Sequence, residues 1–361
     1  MTGSIGSYGA SGASVILTSG IKSITDAQTA IAWEVSEGTT SQTIAGLGDS
    51  AHEAVSLSPK IGQISAVQGN LSSAQGRLSS TSTALNQIVK IAQGLSTQAL
   101  STEETQSGDS TSFSTLSDEA QSALTQLGTI LNSTDGNGYI FSGSNSSDKT
   151  VPDPSGLSSG ALAAKISSLV SGLTDDNLSD VISGATDAAA DNSAGTSVFA
   201  GSLSVSGSSA ADLTKSVVTG TDGSTTQIGV VATQGGTKTS DSTGSPIRDL
   251  VRDLMILSST KGMTSSTPGA NQLLQNLHTS LTTTANKVID MTTGVGVTQN
   301  SLTSRSTTLS SAQLMMKEQM TTNIGADLAT VSSQSNTLQA SLKATFMLIT
   351  DMKGMTLANY L

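Results

Sequence analysis

Apolar and small residues return every seven positions over residues 61–99. One row holds Ile64, Leu71, Leu78, Leu85, Ala92 and Ala99. A second, three positions earlier, holds Ile61, Gln68, Gln75, Ser82 and Val89. A third, Val67, Ala74, Thr81, Ile88 and Leu95, widens the stripe. This period predicts a long helix with a partner along most of its length, because a seven-residue repeat keeps one face turned to the same neighbour. At about 1.5 Å per residue the stretch would run roughly 58 Å. Gln68, Gln75 and Ser82 weaken the seam without shifting its period, so they are expected to set register rather than supply stability.

Upstream, residues 1–15 are rich in Gly and Ser and are expected to be mobile in an isolated molecule. From Val15 to Val35 the spacing of Ile16, Ile21, Ile24, Ala27, Ala30 and Ile31 allows an amphipathic helix with Trp33 near its end. Residues 38–50 read as a glycine-punctuated linker. Residues 50–60 begin a further piece, with Pro59 expected to mark a break before the long helix.

Downstream, the long helix should end near Leu100, and a polar link should lead to a second helix over 111–132, capped by Ser110 or Thr111. Asp135-Gly136 and Asn137-Gly138 form turns, and Tyr139-Ile140-Phe141 is a short strand candidate within a small hairpin at 134–150. Residues 155–245 change to Ser, Thr, Gly, Ala and Asp. They contain helical runs at 161–172 and 176–190 and strand candidates at 196–206 and 226–233. The helical pattern returns after Pro246 with Ile247, Leu250, Val251, Leu254, Met255 and Leu257. It resumes from Asn271 through Leu281 and Val288, with a kink expected near Gly294 and Gly296. The last forty residues carry another heptad pattern, Ile324, Val331, Leu338, Thr345 and Met352 with Leu328, Ser335, Leu342 and Ile349. Its natural partner is the amphipathic stretch at 15–35. The layout is symmetric about its middle and brings both chain ends together. The expected fold class is mainly α: a long antiparallel, coiled-coil-like helical rod with a small β-rich inserted domain.

Composition narrows the function. Only 12 % of residues are charged and 2 % aromatic, and His52 and His278 are the only histidines. Neither histidine has a second candidate ligand near it in sequence, so no metal or cofactor is expected. No Gly-x-Ser-x-Gly elbow precedes a downstream histidine, and the glycine-rich stretch at 134–143 lacks the Lys-Ser/Thr end of a phosphate loop. No catalytic residue is assigned, and an enzyme is not expected. Cysteine is absent, which removes disulfides and thiolate metal sites. The net charge of −11 comes without a basic cluster and argues against nucleic acid as a partner. No window approaches a membrane-spanning length of apolar residues, and no cleavable secretory signal is visible.

Four stretches carry a resemblance to a known family. They are the 61–99 helix, the segment Tyr139-Ile140-Phe141-Ser142-Gly143-Ser144, the early Val35-Ser36-Glu37-Gly38, and the carboxyl end from Leu338-Gln339-Ala340-Ser341-Leu342 to Asn359-Tyr360-Leu361. In this order they resemble the flagellin superfamily of bacterial axial proteins, and within it the hook-associated branch. The likeness covers about 1–150 and 246–361. After Gly38, where ordinary flagellins carry a basic-polar run and an Asp-Asp pair, this chain reads TTSQTIAGLGDSAHEAV.

The resemblance implies a structural subunit of the flagellum, exported without a cleavable signal and located outside the cell. It implies an assembly helix and linker at 1–49, two halves of a rod at 50–150 and 246–319, an outer insert at 151–245, and a second assembly helix at 320–361. Assembly contacts would fall on Ile21, Ile24, Trp33, Ile324, Leu328, Val331, Leu338, Leu342, Ile349 and Leu361. Rod packing would fall on Ile64, Leu71, Leu78, Leu85, Tyr139, Phe141, Leu302 and Leu309. Partners would be copies of the chain, neighbouring hook-associated proteins or flagellin, and an export chaperone at the C-terminal helix. Neither nucleic acid nor membrane insertion is expected. Trp33 is a candidate intersubunit anchor or a local packing residue. Arg77 and Arg305 are candidates for intersubunit ion pairs of small worth.

Overall fold

The computed structural model describes residues 6–104 and 110–358. The chain divides into two compact units, one formed by residues 1–66 with 309–361 and the other by residues 67–308. It is predominantly helical, and its sheet has two strands.

In the first unit, helix α1 (Gly6–Glu37) packs against the last helix, Leu328–Ala358. The helix begins earlier than the hydrophobic pattern suggested. Residues 6–15, expected to be mobile, continue it despite the low helix propensity of glycine, while residues 1–5 lie outside the described residues. α1 stops at Gly38, whose φ of 69° is open to glycine at little cost. A short 3-10 turn, Ile44–Ser50, follows. Its cap is Thr43, whose hydroxyl accepts the Gly46 N–H at 3.2 Å.

α2 (Ala51–Glu104) begins directly after that turn and runs unbroken through Pro59. The expected break is absent. Proline deprives the Val55 carbonyl of its helical partner, but Pro59 and Val55 are both exposed, so water can satisfy that oxygen. Within this unit the Glu53 carboxylate accepts bonds from the side-chain amides of Gln319 and Asn323. Gln313 Nε2 donates to Ser65 Oγ at 2.6 Å. Partner numbers fall on one helix as they rise on the other, so the two segments are antiparallel.

In the second unit the seven-residue rows form the seam. Leu71, Leu78, Leu85, Ala92 and Ala99 are buried, as are Val67, Ala74, Thr81, Ile88 and Leu95. They face the long helix Ala270–Ile324, which buries Leu273, Leu274, Leu277, Leu281, Val288, Val295 and Leu302. Polar bonds cross the seam at three levels and fix the antiparallel sense. Gln75 Nε2 donates to Thr303 at 3.1 Å, Ser96 lies 2.9 Å from both His278 Nδ1 and Thr282 Oγ1, and Gln275 donates to Glu103 at 2.8 Å. The half-buried Gln68, Gln75 and Ser82 flank this stripe. The long helix is also unbroken through Gly294 and Gly296, where the expected kink is not seen as an interruption.

α3 (Ser110–Leu131) packs Phe113, Leu116, Ala120, Leu124 and Leu127 inward, and its neighbour is the short helix Pro246–Ser258. Ser110 is already helical, and the position before it lies outside the described residues. The helix Pro246–Ser258 is buried from Pro246 to Leu257. Besides α3 it contacts α4 (Ala161–Ser171) and α5 (Leu178–Ala190), close to the helical runs read from the sequence.

Burial on all sides forces its charges to find partners. Arg252 donates to Asp253 at 2.8 Å, to Thr186 at 2.7 Å and to the Asp241 carbonyl at 2.6 Å. Asp249 accepts from Ser242, from the Thr243 N–H and from the Thr243 hydroxyl. Burial pushes the Asp253 carboxyl above its ordinary value although Arg252 pulls it down. Arg248 lies 5.4 Å from the centre of the Phe199 ring and donates to the Ala189 carbonyl and to Asn192. Burial lowers its pKa to about 10.

The remaining insert differs from the sequence expectation in detail. A five-residue helix, α6 (Gly207–Ala211), precedes strands β1 (Lys215–Val218) and β2 (Thr225–Ile228). The strands pair antiparallel, Lys215 opposite Ile228 and Val218 opposite Thr225. The segment 196–206 is not a strand. It curls through a 3-10 turn at Gly201–Leu203, where Ser204 Oγ bonds Ser197 Oγ and the carbonyls of Phe199 and Ala200. β2 ends at Ile228 because Gly229, at φ 84°, turns the chain away.

Tyr139-Ile140-Phe141 is likewise not a strand, and the expected hairpin reduces to one bridge between Thr134 and Tyr139. Tertiary partners replace the ladder. Arg77 donates to the carbonyls of Tyr139 and Ile140 at 2.8 and 3.1 Å, and the Ala232 N–H takes the Phe141 carbonyl at 3.0 Å. The two candidate intersubunit arginines are engaged inside the chain. Arg77 also pairs with Asp135 at 3.0 Å, both buried, and Arg305 donates to Thr219 at 3.0 Å.

Candidate assembly surface

The last helix, Leu328–Ala358, is α9, and the long helix Ala270–Ile324 before it is α8. α1 carries only Lys22, Asp26, Glu34 and Glu37 as charges. Instead of charges, hydroxyls bond back along the helices. Thr25 donates to the Ile21 carbonyl and Thr29 to Thr25, each at 2.9 Å. On α9, Thr337, Ser341, Thr345 and Thr350 donate to the carbonyls four residues before them. A hydroxyl satisfied by its own helix leaves no orphan donor when its face is dried. Such helices can be covered by a partner without large polar cost.

Their apolar side chains are only partly used within the chain. Ile31 and Val331 are buried in this unit. A groove of about 430 Å³ lies between the helices, lined by Ala27, Ala30, Ile31 and Glu34 of α1 and by Ser333, Gln334, Thr337 and Leu338 of α9. Outside it, Val15, Ile16 and Val35 of α1 and Leu328, Phe346, Met347 and Leu348 of α9 are exposed, Met347 by 68 %. Full burial of one such side chain is worth about 1.5–3 kcal/mol. The surface is thus driven toward a partner.

The described residues offer no competing chemical site. No three His, Asp or Glu side chains gather as metal ligands among them, and no described helix is long and apolar enough to cross a membrane. Residues 11–146 match the family model of the bacterial flagellin N-terminal helical region. A search of curated proteins returns no match. Over this region, somewhat more than a third of the chain, the sequence is similar to bacterial flagellins.

The matched region covers most of α1, all of α2 and α3, and the turn up to Ser146, whose carbonyl accepts the Tyr139 N–H at 2.8 Å. Of the residues assigned to assembly contacts, Ile324 and Val331 are buried within this unit. Ile21, Ile24, Leu338, Leu342 and Ile349 are half-buried. Trp33 is half-buried and its indole N–H donates to Thr39 Oγ1 at 3.2 Å. Leu328 is 63 % exposed, and Leu361 lies outside the described residues. Of those assigned to rod packing, Ile64, Leu71, Leu78, Leu85, Phe141 and Leu302 are buried, and Tyr139 and Leu309 half-buried.

The heptad reading missed Phe346 and Leu348, which fall off its rows. The signal available was four consecutive apolar residues, 346–349, because one helical stripe cannot hold four neighbours. It likewise passed over Leu314, more than half exposed on α8.

Proposed function

We propose that the chain is a structural subunit of the bacterial flagellum standing at the junction between hook and filament. The observation that carries the assembly reading is the α1–α9 pair, matched to itself along Ile31 and Val331 yet leaving Phe346, Met347 and Leu348 in solvent. A junction subunit would use residues 1–49 and 320–361 for inner assembly contacts. It would use 50–150 and 246–319 as the two halves of a surrounding helical layer, with 151–245 outside. The departure from ordinary flagellins after Gly38 supports a junction role over bulk filament. Neighbours would be copies of itself, other hook-associated proteins and flagellin. A dedicated export chaperone would cover α9 before the chain leaves the cell, where large exposed apolar side chains otherwise invite aggregation. The second reading is flagellin itself, favoured by the match to the flagellin N-terminal helical region.

Electron microscopy of a deletion strain separates the two. Hooks without filaments, with filament protein lost to the medium, support the junction role. Loss of filament mass from a chain that itself copolymerises supports flagellin, and normal flagella would sink both.

A further inference from the structure

Two chain interruptions in the first unit lie side by side. One joins α1 to the 3-10 turn through residues 38–43, and the other joins α8 to α9 through residues 325–327. Thr39 and Gly325 form an isolated antiparallel bridge. The Thr40 N–H donates to the Ile324 carbonyl at 2.9 Å, and the Ala326 N–H donates to the Gly38 carbonyl at 3.0 Å. Thr40 Oγ1 adds a bond to the same Ile324 carbonyl at 3.2 Å.

Helical order reaches the bridge from α1, α8 and α9, while residues 41–43 and Gly48, at φ 58°, separate it from α2. Gly38 N–H still bonds the Glu34 carbonyl at 2.9 Å, and the Trp33 indole reaches across to Thr39. Asp327 caps α9 by accepting the Ala329 N–H at 3.0 Å and the Thr330 hydroxyl at 2.8 Å. On the α8 side, Gly325 N–H bonds the Thr321 carbonyl, and a Cβ at Gly325 would collide with that oxygen. Rotation in this unit is therefore open at the two connectors, and on the α2 side it extends through residues 41–43 and Gly48.

Separately, each connector would be a pivot for its own helix. Joined by reciprocal backbone bonds, they share one axis. We propose that residues 38–40 and 324–326 form a two-stranded hinge that turns α1 and α9 together as one body against the 51–66 and 309–324 helical segments.

The full chain has no cysteine, so paired cysteines can carry spin labels without background. Labels at Thr29→Cys with Asn336→Cys read the α1–α9 distance, and Thr29→Cys with Lys60→Cys read α1 against α2. The expected result is a narrow distribution for the first pair and a broad one for the second. Ala326→Pro or Thr40→Pro, each removing one bridge donor, should broaden the first at least twofold. Amide exchange of unlabelled chain provides a readout free of variants, with Thr40 and Ala326 exchanging within about threefold of each other because they open together. The proposal is overturned by a first pair as broad as the second in the parent chain, or by a narrow second pair. It is also overturned by proline variants that leave the first pair narrow, or by exchange rates at Thr40 and Ala326 more than tenfold apart.

Discussion

Arg77 sits on the seam helix between rows of leucine, yet its guanidinium serves the backbone of another segment. It satisfies Asp135 and the carbonyls of Tyr139 and Ile140 where no strand ladder exists to do so. Removing one partner of a buried pair leaves the other charge uncompensated, at about 3–5 kcal/mol. Arg77→Met should therefore lower the urea-measured unfolding free energy of the second unit by about 3 kcal/mol, and Arg77→Lys should recover only part of it. At Asp135, burial acts upward on the carboxyl, but the bonds from Arg77 and the Asn137 N–H outweigh it and leave the pKa below its ordinary value. A carboxyl lowered in the folded state stabilises it above the unfolded pKa, and that contribution is lost as pH falls through the folded value. Unfolding followed between pH 5.5 and pH 2.5 should show a loss of stability below about pH 4 that Asp135→Asn makes shallower. Asp253, raised by burial, works in the opposite sense and gains from protonation.

At the level of elements, the seam and the terminal pair spend their apolar residues differently. α2 buries its stripe within the chain, so its truncations should be felt in the monomer. Leu85, fully buried, should cost about 3 kcal/mol as Leu85→Ala, within the usual range for leucine in a closed core, as read by chemical denaturation. Gln75→Leu should change stability by less than about 0.5 kcal/mol, as expected for a half-exposed site making a single polar bond. The helix Pro246–Ser258, labelled α7 in chain order, shows where a stripe reading falls short. Its apolar positions were legible, but its arginines and aspartates would have been assigned to a solvated face. They are buried because α3, α4 and α5 all pack around it, and only that enclosure makes Arg252 and Asp253 partners.

Across the whole molecule, the units place different demands on neighbours. The second unit closes its own core, whereas the first leaves Phe346 and Leu348 outside it. The double variant Phe346→Ser/Leu348→Ser should leave thermal unfolding of the second unit within about 1 °C of the parent, since surface changes usually fall within ±0.5 kcal/mol. It should nevertheless reduce self-association at high protein concentration by at least tenfold in sedimentation. Equal association by both proteins would remove α9 from the assembly surface.

The amino-acid order by itself determined the long helices and their antiparallel seam, because a seven-residue period survives in one dimension wherever a helix keeps the same neighbour. It also marked the end of the first terminal helix at Gly38. The fate of Tyr139-Ile140-Phe141, the curl at 196–206 and the buried charges of α7 were decided only by tertiary structure. In each of these, the backbone or the charge is satisfied by groups distant in the chain. Arg77 for the first and Thr186 for Arg252 are contacts that no local pattern encodes, and local propensity yields wherever such a partner offers a better bond than a neighbouring strand or water.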